Sequence, residues 1–376
     1  MAIDVAPAHE AGVSSEAVAA FYAEHWNRPI ALALPQFHDW QFVRAPESGG
    51  KNHSMVALSD GEIVGVMGLN PRAFLLRGEK VRAAELTTWV VSPAARGLGV
   101  GRGIMNALQE RYDLMVGLGI SDAAMPIYTT SGFRHLRRIP RFFRVHDVGR
   151  VREHARVERL GERLVSAWSR DTLGIADQEF EAQPGPASEL APQGAEAARD
   201  ANLFVRDADA LRWRYDEHPT FDYQAHAVRD PALPGMGIGV VVRTDRAPVE
   251  GGTLDMLHVV DLFGDPAHAP AAVAFVDDLA RREGVAFADV FMGHTGLAAH
   301  FLAAGWFSGM DDAMLKLPHL FYPVELREPA TTSYVIWARK NRAAAYDMGR
   351  YLITKGDLDL DRPTLAYYDA HGIEAK

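Results

Sequence analysis

The sequence predicts a mixed α/β protein of two domains, and three observations carry that prediction. A β-rich run, Leu86 to Val91, ends in a glycine- and arginine-rich loop, Arg96-Gly97-Leu98-Gly99-Val100-Gly101-Arg102. The loop opens a helical pattern, with Ile104, Ala107, Leu108 and Arg111 at helix spacing. The chain, 376 residues, is long enough for two separate cores. The second half also repeats the first: a shift of 173 residues puts Pro93 on Pro266 and Gly132-Phe133 on Gly305-Trp306. The same shift lays strand 86–91 on the apolar run 259–264 and helix 101–111 on 274–284. There Ala272, Phe275, Val276 and Leu279 form an apolar stripe.

The loop carries the first chemical signal. A strand that feeds a helix start presents backbone N–H groups at the positive end of the helix dipole, which suits a phosphate-bearing ligand. Glycines at 97, 99 and 101 allow close approach of the backbone, and Arg96 and Arg102 add positive charge. Two common phosphate loops are excluded. Neither Gly97 nor Gly99 finds the third glycine of a dinucleotide fingerprint in register, and the Lys of a Walker loop is absent.

The stretch Arg96-Gly97-Leu98-Gly99-Val100-Gly101, preceded by Val91-Ser92-Pro93, resembles the acetyl-CoA loop of the GNAT superfamily of N-acetyltransferases. Tyr128-Thr129-Thr130-Ser131-Gly132-Phe133 matches a second motif of that family, Tyr-x-x-x-Gly-Phe. The resemblance covers residues 15 to about 145 well and 200 to 320 loosely. It implies two GNAT-like domains, each a mixed, mostly antiparallel twisted sheet flanked by helices. It implies acetyl-CoA (acyl-CoA) as cosubstrate, its pyrophosphate held by Gly97, Leu98, Gly99, Val100, Gly101 and Arg102 beside Arg96. The pantetheine would run along Trp89, Val90 and Val91. Tyr128 would protonate the leaving thiolate, a role suited to a phenol that is neutral at pH 7. Glu85, on the strand entering the loop, would be the general base, directly or through water; an ion pair with a nearby Arg is the competing reading.

A rival motif, Gly119-Ile120-Ser121-Asp122-Ala123, nearly matches a hydrolase nucleophile elbow but ends in Ala, and helix capping by Ser121 or Asp122 explains it. The absence of cysteine excludes an acyl-cysteine intermediate and favours direct attack of the acceptor in a ternary complex. Apolar content of 48% and charged content of 23% are ordinary for a globular chain. No zinc spacing, signal peptide, membrane span or nucleic-acid footprint is visible in a chain of net charge −10, so a cytoplasmic protein without metal, membrane or nucleic-acid partner is expected. Five arginines from Arg134 to Arg144 surround Phe142 and Phe143 and read as a solvated strand face.

The expected domains are 1–150, carrying the acetyl-CoA loop; 151–198, a charged helix from Val151 to Trp168 and a Pro/Gly/Ala-rich linker from Ala176 to Ala198; 199–320, a degenerate second copy; and 321–376, a C-terminal extension. In the second copy Ala269, Pro270, Ala272 and Ala274 replace Arg96, Gly97, Gly99 and Gly101; Phe301 replaces Tyr128, and His258 replaces Glu85. That copy is expected neither to bind CoA nor to catalyse, but to wall the acceptor pocket. Asp357, Asp359 and Asp361 in the extension read as a solvated turn, with a divalent ion or cationic acceptor as the alternative. The function implied is transfer of an acetyl group to a primary amine of a small molecule, an amino-sugar among the options. A protein-lysine acetyltransferase and a non-catalytic acyl-CoA-binding module are the alternatives, and the oligomeric state is open.

Overall fold

A computed structural model describes residues 3–136, 138–157, 162–163, 178–199, 201–308, 315–326, 332–357 and 361–374. In chain order the first half contributes β1 (Asp4–Pro7), β2 (Met55–Ser59), β3 (Glu62–Leu76), β4 (Glu79–Val91), β5 (Leu114–Leu118), β6 (Arg134–Leu136) and β7 (Arg141–Val145). The second half contributes β8 (Glu181–Gly185), β9 (Gln224–Arg229), β10 (Ile238–Val249), β11 (Gly252–Gly264), β12 (Phe287–Phe291), β13 (Phe307–Ser308) and β14 (Tyr334–Ala338). The first sheet has the order β1-β2-β3-β4-β5-β14-β6 and the second β8-β9-β10-β11-β12-β7-β13. Along these two paths, β4–β5 and β11–β12 are the parallel pairs and the other pairs are antiparallel.

The repeat read from the sequence is therefore a repeat of topology. Strand β11 falls on β4 and β12 on β5 under the same shift. The shift is built into the core as a pair of indoles. Trp40, on the helix Pro35–Phe42, donates Nε1–H to the carbonyl of Trp213 at 3.0 Å, and Trp213 donates back to the carbonyl of Trp40 at 2.9 Å. The two residues lie 173 apart and their rings stack at 5.3 Å. A reciprocal bond between equivalent residues marks a local pseudo-two-fold relation between the halves.

Each sheet is completed by a strand from the other half. Strand β7 enters the second sheet between β12 and β13, and β14 enters the first between β5 and β6. Sheet membership thus does not follow a single cut in the chain. It also changes the reading of the Arg134–Arg144 cluster. Arg141 and Arg144 are not a solvated face: they pair with Asp289 at 2.6 Å and Asp277 at 3.0 Å, both acids being buried. Arg137 lies outside the described residues.

Three further expectations need correction or bounding. Glu181–Gly185, inside the stretch read as a linker, is the edge strand β8; Pro184 is tolerated there because an edge strand leaves one side of its ladder unpaired. Of the charged helix expected from 151 to 168, a helix at Val148–His154 is described, while 158–161 and 164–168 lie outside the described residues. Asp357 and Asp361 are not a solvated turn. They are buried and accept hydrogen bonds from Arg206 and Arg243, each at 2.7 Å; Asp359 lies outside the described residues.

His38 sits in the core beneath the first sheet, 0% exposed, with neither ring nitrogen hydrogen-bonded among the described residues. Burial lowers its pKa to about 4. The folded value lies below the unfolded one, so the unfolded chain binds the extra proton. Its contribution to stability is complete above about pH 6.5 and is lost as pH falls toward 4, at about 1.4 kcal/mol per unit crossed. Urea unfolding between pH 7 and 4.5 is expected to show this slope, and His38→Leu to flatten it by about one proton. Equal slopes in the two proteins would place the acid sensitivity elsewhere.

Candidate functional site

The site is built where two neighbouring strands part. Strands β4 and β5 pair from Ala83↔Leu114 to Leu86↔Gly117, and the pairing stops there while β4 runs on to Val91. A bulge lies at the same point. Thr87 and Thr88 stand between the pairs Leu69↔Leu86 and Met67↔Trp89, opposite Gly68 alone. Tyr22, from the helix Ser15–His25, donates to the carbonyl of Thr88 at 2.9 Å and so ties the bulge to the helical layer. Ser92 N–H bonds back to Val64 at 3.0 Å. Strand alternation then turns the backbone of Trp89 and Val91 toward the open edge.

Beyond Val91 the chain makes one short turn, Pro93–Ala95, and enters the loop. Gly97 and Gly99 both have φ of +82°, a left-handed conformation that disfavours a side chain. No atom lies within 4 Å of a Cβ built on either, so both face open space. Gly99 caps the helix Val100–Arg111, whose first-turn N–H groups have no intrahelical acceptor. Gly101 differs from the other two. A Cβ there would stand 2.9 Å from the ring of Trp89 and 3.0 Å from Ile127, so glycine is required by packing. Arg96, Leu98 and Arg102 are exposed, Val100 is buried, and Val90 is buried in the sheet. Arg102 donates to Thr130 Oγ1 at 2.9 Å, which links the loop to the helix Met125–Thr130.

That second helix carries Tyr128, 1% exposed, its ring edge-on to Trp89 at 5.6 Å and to Phe133 at 5.0 Å. The two sequence motifs, about thirty residues apart in the chain, therefore meet through Trp89. The indole nitrogen of Trp89 is buried without a hydrogen-bond partner among the described residues. Ser121 accepts from Ala124 N–H at 3.3 Å and so closes the turn ahead of the helix Met125–Thr130; the N-cap of that helix is Ala124, not Ser121 or Asp122 as expected. Glu85, buried on β4, accepts from Asn70 Nδ2 at 3.3 Å and faces Arg72 at 3.7 Å, so the ion pair considered in the sequence is present.

The sequence offered no pattern for the remaining groups at the opening. Arg362 donates to Thr88 Oγ1 at 2.9 Å, and Arg72 also donates to the carbonyl of Asp357. Both contacts come from the C-terminal segment, brought back across the first sheet. Asp361, next to Arg362, is held by Arg243. Burial alone would raise its pKa, but the guanidinium of Arg243 and the ammonium of Lys355 hold its carboxyl well below the usual range.

The second copy shows what the loop becomes without its glycines. Its helix, Ala269–Glu283, starts at the counterpart of Arg96, so the residues matching the first copy's exposed loop are helical and Ala269, Ala271 and Ala272 are buried. Phe301 keeps the edge-on contact of Tyr128, with Trp306 at 4.9 Å, but has no hydroxyl. His258, in the place of Glu85, is buried between Asp245 at 3.2 Å and Asp289. The C-terminal segment also occupies this copy's strand opening, where Thr354 donates to Asp261, the counterpart of Thr88, at 2.9 Å.

Among the described residues no group of acidic, histidine or cysteine side chains could hold a metal ion, and no helix is long and apolar enough to cross a membrane. Residues 15–133 match the acetyltransferase (GNAT) family. No curated protein matches the sequence. Among solved structures, a probable N-acyltransferase of unknown function from Enterococcus faecalis V583 is similar at 11% identity and a TM-score of 0.54, over 90% of this chain and 72% of that one. A GCN5-related N-acetyltransferase from Anabaena variabilis is similar at 12% identity and a TM-score of 0.50, over 89% of this chain and 72% of that one. The chain carries the fold of the GNAT-superfamily acetyltransferases, in two copies.

Proposed function

We propose that this protein transfers an acetyl group from acetyl-CoA to a primary amine of a small molecule, an amino-sugar being one such class, by direct attack in a ternary complex. The observation that carries the reading is the contrast between the two copies. The first keeps left-handed glycines open to solvent at a helix start, beside a parted strand edge, and the second has converted the same stretch into buried helix. In this reading the N–H groups from Gly97 to Arg102 hold the pyrophosphate, with Arg96 alongside. The backbone of Trp89 and Val91 pairs with the pantetheine as an added strand would, Val90 completing that edge, and offers a donor to the thioester oxyanion. Glu85 takes the proton of the attacking ammonium, directly or through a water, and Tyr128 gives one to the departing thiolate. The open space above Gly97 and Gly99 and the unpaired edge of β4 suit such a cosubstrate.

Calorimetric titration with CoA is expected to give one site per chain, and acetyl-CoA to be consumed with at least one member of a panel of amino-sugars, amino acids, polyamines and lysine peptides. Two equivalent CoA sites would mean that the second copy had been misread. No binding at all would remove the acyltransferase reading, and consumption with lysine peptides alone would replace the small-molecule acceptor with a protein.

A further inference from the structure

We infer that the junction between the two halves holds a second binding site, for a small organic carboxylate, built from Lys355 and His319 around the ring of Phe291. The site goes beyond the acyltransfer reading and does not depend on it. Lys355 is 8% exposed, and its ammonium forms no hydrogen bond or ion pair among the described residues. Its Nζ stands 5.3 Å from the centre of the Phe291 ring. His319, half-buried, approaches the same ring at 5.9 Å, and its imidazole also forms no hydrogen bond among the described residues. An ammonium is rarely buried so far without a partner, because leaving water is costly for a charge.

The acids near Lys355 are already engaged at close range. Asp289 accepts from Arg141 Nε at 2.7 Å, and its other oxygen faces His258. Asp361 accepts from Arg243 at 2.7 Å and from Tyr223 at 2.8 Å. Burial would raise both carboxyls, but His258 and Arg141 at Asp289, and Arg243 at Asp361, hold them well below the usual range. Lys355 adds to each effect from beyond ion-pair distance, so its three N–H donors stay available. His319 is uncharged at neutral pH: burial, with Arg141 and Lys355 nearby, lowers its pKa to about 3. Arg141 also lies against Phe291, at 5.2 Å, but its guanidinium is engaged by Asp289. Lys355 and His319 thus offer one full positive charge and one neutral N–H, which suits the two oxygens of a carboxylate.

Both groups are fixed by the chain around them. Thr354 pairs with Met292, next to Phe291; its N–H donates to Asp357 at 3.0 Å and its hydroxyl to Asp261 at 2.9 Å. Asp357, on the other side of Lys355, accepts from Arg206 at 2.7 Å. His319 leads into the paired strands Leu320–Phe321 and Val324–Glu325, and its N–H donates to the carbonyl of Glu325 at 3.1 Å. Little freedom is left to lose on binding. Phe291 packs in one core with Val116 and Leu118 of β5, and Val116 pairs with Glu85 on β4. Paired residues send their side chains to the same face, so the site lies on the side of the first sheet that carries Glu85.

The test is calorimetric titration of the full chain, without acetyl-CoA. The probes are acetate, benzoate and glutarate, with L-glutamate as the amine-bearing counterpart of glutarate. At least one is expected to bind saturably at one site per chain, and its amide to bind far more weakly. Lys355→Met should weaken that binding by about tenfold or more, the scale of one hydrogen bond to a charged group, and Lys355→Arg should keep part of it. The inference is overturned if no carboxylate binds the wild type, if the amide binds as tightly, or if Lys355→Met leaves the affinity unchanged. Should Lys355→Met fail to fold, His319→Leu takes its place: weakening by about threefold or more is expected, and unchanged affinity overturns the inference. Glutamate binding more tightly than glutarate, and being consumed with acetyl-CoA, assigns the site to a carboxylate of the acceptor. Binding of glutarate alone assigns it to a free anion, and either result supports the site. Failure to bind acetyl-CoA removes the acyltransfer reading and leaves this inference standing.

Discussion

Gly99→Asp is expected to weaken acetyl-CoA binding by about 10³-fold. A carboxylate about 4 Å from a phosphate, at an effective dielectric constant of about 20, opposes it by about 4 kcal/mol. The structure makes Gly99 the clean place for this experiment. A side chain there meets no atom within 4 Å, and Asp is among the residues that tolerate the left-handed conformation at +82°. Gly101 is less suitable, because a side chain there collides with Trp89 and Ile127 and would confuse loss of binding with loss of packing. Gly99→Asn, similar in shape and neutral, serves as the control and should keep most of the affinity. The readout is the rise in melting temperature with acetyl-CoA, which follows from binding to the folded state. A Gly99→Asp protein stabilised as fully as the wild type would mean that the loop holds no phosphate.

Tyr128→Phe is expected to lower kcat by about 10²-fold with little change in acetyl-CoA affinity, as for removal of a general acid. Packing should survive the change. The second copy already holds Phe301 in this place, edge-on to Trp306 at 4.9 Å, against 5.0 Å between Tyr128 and Phe133. The phenyl ring therefore fits the same arrangement, and the missing oxygen is what the experiment reads. A rate unchanged across the pH range would assign Tyr128 to packing between Trp89 and Phe133.

Features written within about thirty residues of chain are legible in the amino-acid order itself. The loop from Arg96 to Arg102 reads as strand, turn and helix because its glycines, its apolar spacing and the strand that leads into it are contiguous, and the structure has that order. The repeat is legible for a related reason. Pro93 and Pro266, Phe133 and Trp306, and the stripes of helices 101–111 and 274–284 each mark the same local step, and β11 follows β4 residue for residue. The linker reading of 181–185 fails on the same principle: Pro and Gly describe a break locally, and only pairing with β9 makes the segment an edge strand.

Local sequence thus sets the mixed α/β class, the two copies, the conformation of the first copy's loop and the erosion of the second. Which sheet each last strand joins is a tertiary choice. Strand β14 is a short apolar run and β7 carries Arg141 and Arg144 about Phe142 and Phe143, and nothing in either composition says that they cross to the other half; the two vacant lanes beside β5 and β12 select them. The surroundings of the opening are a tertiary choice too. Arg362 reaches Thr88 across 274 residues of chain, and Arg72 reaches Asp357 across 285. Periodicity and turn chemistry act between neighbours in sequence, whereas a guanidinium meets a hydroxyl or a carboxylate wherever folding brings the two together. The buried Asp357 and Asp361 read as solvated from sequence for that reason, and their arginine partners are set beside them only when the chain closes around them.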